Sequence, residues 1–461
     1  MMKTIAIKTL KGLGGLLLAA LLLALAWLAC NNRWVDRGSD VPPQALQLPE
    51  PTLAPERNSF FALSELDVAE GEDPAQVGRQ RWGQHFDDDR PEPRRLSWPQ
   101  PRRDDAASAW MCRPSEADCV ALWQAQVPAL EALLQRHALL GQRCETLAAP
   151  GFALDEPVPP PSAEVKQPAH QYVVRAMPRL NNWAQCGRWL RVQVVLAQRR
   201  GDPAALQQAL LRSQNYVNGL LVGAHSLSGS MVAWRVAADH WQMLTALAAR
   251  QPALVAELIR LAEPLPAQAQ DPTRWMVAEA FFNRLVNREL ALNCQAGGPV
   301  GAADGGVERA MSCGGIGFLP KATQQLLDQQ WLQAMELARG GPLALLDWDP
   351  QPQGARLFGL AWFNTVGHVL VDVAMPAYPG YGKRHADLLL QHQAALLALR
   401  AAGQPEGRRE AWLAAQPLDA RLRARIRLDG AAIVASPWSD WGDAAALARY
   451  PIPFISTPQD S

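Results

Sequence analysis

An uncharged, leucine-rich run at residues 12–30 constrains this chain more than any other feature. As a helix it is about 28 Å long, close to the roughly 30 Å thickness of a bilayer's hydrocarbon core. Lys3, Lys8 and Lys11 precede it without any acidic residue, and by the positive-inside rule the amino terminus then stays in the cytoplasm. The sequence therefore predicts a transmembrane signal anchor at 12–30, a cytoplasmic segment at 1–11 and a chain that is periplasmic from residue 31.

The end of this run leaves three processing outcomes. A cleaved signal peptide needs a small residue three positions before the cut, and a lipoprotein signal prefers an aliphatic residue three positions before the acylated cysteine. Trp27 occupies that position relative to Cys30. We therefore expect the anchor to be retained, with cleavage and acylation of Cys30 as alternatives.

Composition restricts the partners of the chain. Half of the 461 residues are hydrophobic (49%) and 19% are charged, which excludes a wholly disordered chain, and a single long apolar run excludes a multi-span transporter. Basic and acidic residues balance at 44 each, so no overall field attracts nucleic acid. The predicted partners are the inner membrane, through residues 12–30, and other envelope proteins or glycan.

Six cysteines follow Cys30, and an even number in an exported chain is typical of disulfides. No CxxC pair or His/Cys cluster at metal-ligand spacing occurs, so no metal or other cofactor is predicted. Proximity in the chain predicts three pairs, with buried thiols as the alternative for the second: Cys112 with Cys119, Cys144 with Cys186, and Cys294 with Cys313.

Proline and helical periodicity organise the rest of the chain. Residues 31–57 are rich in proline, which favours an extended tether. Residues 58–461 repeat apolar side chains at helical spacing, interrupted by a glycine-rich loop at 295–320. The sequence predicts an all-α fold: a multi-helix extracytoplasmic domain with minor short strands near the carboxyl terminus. The predicted helices are 115–147, with Ser115 as N-cap and a bend near Pro128, then 168–200, 203–223, 226–250, 252–263, 272–293, 321–339, 356–374 and 383–402.

Three short passages carry a resemblance to a known family. They are the run from Asn58 to Leu63 with Glu72, Asp73, Pro74 and Gly78 behind it, the Cys112 to Cys119 segment before a leucine-rich helix, and Asn364-Thr365-Val366-Gly367. Together they resemble a family of N-terminally anchored, helical envelope proteins of Gram-negative bacteria. Relatives have proline where this chain has Thr365. The resemblance implies a periplasmic helical domain and brings no known activity.

Glu279 is the candidate catalytic residue. It lies in an apolar stretch, and Asn283 and Asn287 follow on the same helix face as candidate binding residues. A carboxylate in such surroundings acquires a raised pKa and can serve as a general acid or base. The alternative is a buried carboxylate that holds neighbouring helices together.

Histidine and serine residues offer weaker candidates. Ser226 and His240 would be about 21 Å apart on one helix, too far for a catalytic pair, so we expect Ser226 to cap a helix and the histidines to be structural. His385 and His392 are separated by two helical turns, which does not suit a metal site.

Tryptophan is abundant, with 17 residues, and most fall in apolar helical stripes that predict core packing. Trp438 and Trp441 lie in the non-helical tail and are candidates for an exposed contact with glycan. The sequence as a whole favours a non-catalytic binding or scaffolding component of the cell envelope. The alternative is an envelope hydrolase that uses Glu279 as general acid or base.

Overall fold

The fold is mainly helical, as predicted, with a few short strands near the carboxyl terminus. It is known from a computed structural model, which describes residues 2–32, 35–39, 41–83, 93–100, 109–112, 118–157, 179–295, 318–351, 356–357, 360–439 and 447–454.

The described α-helices are numbered here in chain order. They are α1 (Met2–Cys30), α2 (Ser59–Ser64), α3 (Pro74–Gly83), α4 (Cys119–Ala125), α5 (Val127–Arg136), α6 (Ala138–Leu147), α7 (Leu180–Arg200), α8 (Pro203–Gly223), α9 (Leu227–Arg250), α10 (Val255–Ala262), α11 (Thr273–Gln295), α12 (Pro320–Ala338), α13 (Thr365–Ala374), α14 (Tyr378–Ala401), α15 (Arg409–Ala414) and α16 (Ala420–Arg423).

Short strands form two antiparallel sheets. A hairpin pairs β1 (Arg356–Leu357) with β2 (Leu360–Ala361), so the predicted helix at 356–374 is wrong over its first part. The second sheet has the order β3 (Ile426–Asp429), β4 (Ala432–Ala435), β5 (Ala448–Pro451). Gly430 has φ 60° in the β3–β4 turn, a conformation that favours glycine.

Local chemistry explains where the best-predicted helices begin and end. Gly201 ends α7 with φ 70°, the left-handed conformation common after helices. Asp202 then caps α8 by accepting hydrogen bonds from the N–H groups of Ala204 and Ala205, and Pro203 occupies the first turn. The predicted bounds of this helix, 203–223, are confirmed.

The long helix predicted at 115–147 is instead three helices. The first break falls at Gln126, beside Pro128 as predicted, and the second at His137. Asp118 provides the N-cap of α4 by accepting from the N–H of Ala121, whereas the predicted cap Ser115 lies outside the described residues.

The chain divides into two compact units, each described by itself below. Unit 1 comprises Met1–Gln47, Ala280–Ala334 and Asp349–Pro379. Unit 2 comprises Leu48–Glu279, Met335–Trp348 and Gly380–Ser461. In unit 2, α7, α8 and α9 pack against one another and β5 packs against α9. Large side chains such as Trp183, Trp241 and Tyr216 are fully buried there, and burial of apolar surface of this kind is the main source of stability.

Two of the three predicted cysteine pairs are confirmed. Cys112 pairs with Cys119, with their Cα atoms 5.6 Å apart. Cys144 pairs with Cys186, with their Cα atoms 5.5 Å apart, so the alternative of two buried thiols does not hold. Cys313 lies outside the described residues, and the predicted pair Cys294–Cys313 stays a prediction.

The segment predicted to span the membrane, residues 12–30, is helical as part of α1. Among the residues that the structure describes, however, no helix combines the length and the apolar character needed to cross a bilayer. The predicted transmembrane span is therefore not supported by the structure.

Candidate functional site

The two predicted binding asparagines have structural partners within unit 1. Asn283 donates from Nδ2 to the hydroxyl oxygen of Tyr378 at 3.0 Å. Asn287 is buried and donates to the carbonyl oxygen of Pro320 at 2.9 Å and to Oε1 of Gln324 at 3.2 Å. These bonds attach α11 to the amino-terminal turns of α12 and α14. The predicted binding role of the two asparagines stays a prediction.

Glu279 lies on α11, partly exposed, directly after three buried residues, Met276, Val277 and Ala278. An open groove of about 280 Å³ lies elsewhere in unit 2, where the end of α7 and the start of α8 meet the segment leading into α10. Its lining includes Gln198, Asp202 and Glu257, and Glu279 is not among the residues that line it. The predicted catalytic role of Glu279 stays a prediction.

A polar cluster of unit 2 is centred on Asp155, which the sequence did not single out. One carboxylate oxygen accepts from the N–H and the hydroxyl of Thr52, at 2.6 and 2.8 Å, and from the N–H of Leu53 at 3.2 Å. The other oxygen lies 2.8 Å from Nε2 of His225. The backbone of Asp155 also exchanges two hydrogen bonds with the side chain of Asn58. Asp155 therefore holds the segment at 52–58 next to His225, which directly precedes the N-cap of α9.

Glu156 performs a similar role at the start of α9. It accepts from the N–H groups of His225 and Ser226, both at 2.8 Å, and from the Ser226 hydroxyl at 2.6 Å. The Ser226 oxygen in turn accepts from the N–H of Gly229, which confirms Ser226 as the N-cap. A carboxylate at this place also complements the positive end of the helix dipole.

The hydrogen bonds of this cluster stabilise the charged form of Asp155. Burial alone would raise the pKa of Asp155, but hydrogen bonds from His225 and Thr52 outweigh it and lower the pKa to about 2. Arg274 places Nη2 at 3.1 and 3.3 Å from the two ring nitrogens of His225. The Ser226 hydroxyl donates to Glu156, so Ser226 and His225 do not form the hydrogen-bonded serine–histidine pair of a hydrolase.

His240 lies on α9, the helix that Ser226 caps, and has a separate set of hydrogen-bond partners. It is fully buried, with Nε2 at 2.8 Å from Oε1 of Gln214 and Nδ1 at 3.0 Å from the hydroxyl of Ser213. Since Oε1 can only accept, Nε2 carries the proton and Nδ1 accepts. Burial lowers the pKa of His240 to about 3, and His240 is a core residue.

His385 and His392 each bond to a backbone carbonyl oxygen. Nε2 of His385 lies 2.6 Å from the carbonyl of Ala269, and Nε2 of His392 lies 2.9 Å from the carbonyl of Ala262. His385 also stacks on Trp234, and burial lowers its pKa to about 4. Within the part of the chain that the structure describes, no group of three or more His, Cys, Asp or Glu residues is placed to hold a metal ion.

Trp438 is a partly buried residue with two fixed contacts. Its backbone N–H donates to the Asp387 carboxylate at 2.7 Å, and the guanidinium of Arg425 lies 5.5 Å from the centroid of its ring. Asp387 also accepts from the hydroxyl of Ser439 at 2.6 Å. Trp441 lies outside the described residues. The predicted contact of these tryptophans with glycan stays a prediction.

Helix α1 has a largely apolar exposed surface. Seven leucines of this helix are each more than half exposed: Leu16, Leu17, Leu18, Leu21, Leu22, Leu23 and Leu25. Three consecutive residues span most of the circumference of a helix, so the leucines surround α1 instead of forming one stripe. A surface of this kind is stable in an apolar environment and unfavourable in water.

None of the protein families, curated proteins and solved structures compared with the chain matches it.

Proposed function

We propose that the protein is a membrane-anchored periplasmic component of the cell envelope with a non-catalytic binding or scaffolding role. In this proposal residues 12–30 hold the chain in the inner membrane, the amino terminus is cytoplasmic and the bulk of the chain is periplasmic. The observation that carries the proposal is the exposure of the α1 leucines on all sides of the helix. Apolar side chains exposed to water are unfavourable, whereas in lipid they are not, and a helix satisfies its own backbone hydrogen bonds there.

Two further features support the proposed periplasmic location and the proposed non-catalytic role. The cysteine pairs Cys112–Cys119 and Cys144–Cys186 suit an oxidising space. The acidic and histidine side chains of the Asp155 cluster and of α9 are occupied by internal hydrogen bonds, which is typical of groups that hold a fold together.

Membrane fractionation tests the anchor. We expect the full-length protein to resist extraction by alkaline carbonate, and the double variant Leu18→Arg, Leu22→Arg to be extracted, because each arginine costs about 2.5–3.5 kcal/mol in a bilayer. Leu211→Arg is the matched control, since Leu211 is an exposed leucine of α8 in unit 2. If the wild-type protein is extracted, or the double variant is retained like the control, the anchor proposal is wrong.

The hydrolase alternative rests on the apolar surroundings of Glu279. Glu279→Gln keeps the shape of the side chain and removes its ability to act as an acid or base. The scaffolding proposal expects this variant to fold normally and to replace the wild-type protein fully in a strain from which the protein has been deleted. A folded variant that fails to do so would instead support catalysis.

A further inference from the structure

Helix α13 presents its apolar side outward. Val366, Val369, Leu370 and Val373 recur at the spacing of one helix face, and the last three are 44%, 39% and 75% exposed. The opposite face carries the buried residues Gly367, His368 and Val371. This arrangement reverses the usual one, in which apolar residues of a surface helix face the core.

Contacts within unit 1 fix this orientation. A Cβ atom on Gly367 would lie 2.1 Å from the hydroxyl oxygen of Thr323 and 2.3 Å from Nδ2 of Asn364, so only glycine allows α13 to approach α12 this closely. Asn364, at the N-cap, accepts from the N–H of Leu319 at 2.9 Å and donates to the Thr323 hydroxyl at 3.0 Å. Rotating α13 to bury its apolar face would break these hydrogen bonds. It would also place a residue larger than glycine at the point where α13 comes closest to α12.

The start of α13 is also attached to the last turn of α1. Nε1 of Trp27 donates to the hydroxyl of Thr365 at 3.2 Å. The buried side chain of Asn31 donates to the carbonyl of Trp362 at 2.8 Å and accepts from the N–H of Thr365 at 3.3 Å. The exposed valines and leucine of α13 therefore begin where the exposed leucines of α1 end.

We propose that α13 is an interfacial helix whose apolar face lies in the same lipid surface that holds α1, on the side where α1 leaves the bilayer. The inference rests on the anchoring role proposed above. Helices of this type bury their apolar face about 5–10 Å into the boundary between headgroups and acyl chains, and Trp27 and the exposed ring of Phe363 suit that boundary. Lipid is favoured over a protein partner because the start of α13 is hydrogen-bonded to the last turn of α1, the helix that the proposed function places in the bilayer.

The chemistry of α13 also determines how the contact responds to salt. Asp372 is its one charged residue, and it contains no Lys or Arg. Attraction to anionic headgroups therefore contributes little, and the contact depends on apolar burial. We expect it to persist at high salt, where electrostatic membrane contacts weaken.

Site-specific photo-crosslinking to lipid tests the inference. The full-length chain would be reconstituted in vesicles of phosphatidylethanolamine and phosphatidylglycerol that contain an alkyne-tagged phospholipid. Three variants place the photoreactive residue at exposed positions: Val373→benzoylphenylalanine in α13, Leu22→benzoylphenylalanine in α1 and Leu211→benzoylphenylalanine in unit 2. We expect lipid adducts at positions 22 and 373 at least tenfold above those at position 211, in low and in high salt.

The outcomes separate the two proposals. Adducts at position 22 with none above background at position 373 would overturn the interfacial helix and leave the anchor intact. No adducts at either position would overturn both. A crosslink from position 373 to a second copy of the chain in place of lipid would also overturn the inference, because the face would then be a protein interface.

Discussion

At the scale of single residues, the polar side chains described above for unit 2 form hydrogen bonds that hold distant segments of the chain together. The Asp155 carboxylate accepts hydrogen bonds from Thr52 and Leu53 and lies within hydrogen-bond distance of His225. Its backbone carbonyl accepts from the side chain of Asn58. Hydrogen bonds to a charged group contribute more than neutral ones. Asp155 should therefore be one of the most sensitive polar positions of the molecule.

Replacing Asp155 with Asn should lower the free energy of unfolding at pH 7 by about 2 kcal/mol, because the amide is neutral and presents N–H groups to donors. Asp202→Asn is the matched control. Asp202 also accepts from two backbone N–H groups, but it is an exposed N-cap where Asn serves equally well, so a change below about 0.5 kcal/mol is expected. Urea unfolding compares the two variants, and equal losses would contradict the role given to Asp155.

The pH dependence of Asp155 has a defined sign. Its pKa is lowered from 3.8 to about 2 in the folded protein. The carboxylate therefore contributes fully to stability above about pH 4, and this contribution is lost as the pH falls towards 2.

Buried histidines should make the protein less stable in mild acid. The pKa of His240 is lowered by burial to about 3, and that of His385 to about 4. Below pH 6.5 the unfolded chain takes up protons that these folded side chains do not, so stability should fall by up to about 1.4 kcal/mol per pH unit for each histidine between pH 6.5 and about 4.

Urea unfolding followed by tryptophan fluorescence at several pH values measures this slope. His240→Gln, which retains a side chain able to form hydrogen bonds, should remove about half of the loss that the two histidines cause. If His240→Gln leaves the change of unfolding free energy with pH unaltered, His240 takes up its proton in the folded state as readily as in the unfolded chain, and the prediction is wrong.

Sequence alone predicted some of these residue roles and missed others. The Ser226 cap was predictable because capping depends on its near neighbours, here the N–H of Gly229. Asp155 was not, because it meets Thr52 and His225 across 103 and 70 residues of chain. A pair of acidic residues following Leu154 was the one available signal, and it does not identify partners.

At the scale of elements, α6 and α7 approach each other closely at Gly141. A Cβ atom on Gly141 would lie 1.8 Å from the ring of Trp189. Nε1 of Trp189 donates to Glu145 at 3.0 Å, and Cys144 pairs with Cys186 across the same two helices. The glycine, the indole and the cysteine pair therefore position these helices together.

Gly141→Ala should destabilise the protein by at least about 2 kcal/mol, because the indole ring or the helix must move to accept the methyl group. Gly403→Ala is the control, since a Cβ atom on Gly403 would have no other atom within 4 Å, and a change within about 0.5 kcal/mol is expected. Thermal unfolding monitored by circular dichroism compares the two. A Gly141→Ala variant as stable as the control would contradict the close approach.

Element boundaries were predictable where local signals agreed. The end of α7 and the start of α8 follow from Gly201, Asp202 and Pro203. The β1–β2 hairpin was not predictable, because each strand has only two residues, Arg356–Leu357 and Leu360–Ala361, and Leu357, Leu360 and Ala361 have the i, i+3, i+4 spacing typical of a helix. Pairing of such short strands depends on tertiary contacts that a sequence pattern does not contain.

At the scale of the whole molecule, membrane topology decides whether the apolar surfaces of the chain are stable. The exposed leucines of α1, the outward apolar face of α13 and the cysteine pairs are all favourable if the chain is anchored in a membrane and the body lies in an oxidising space. In a reducing compartment without lipid, the same apolar surfaces would promote aggregation.

Reporter fusions after Ser461 test this topology most directly. Alkaline phosphatase is active only after export, and green fluorescent protein exported in unfolded form is not fluorescent. We predict that the full-length chain carries an active phosphatase and a dark fluorescent protein. A fluorescent fusion with an inactive phosphatase would place the body of the protein in the cytoplasm and contradict the proposed topology.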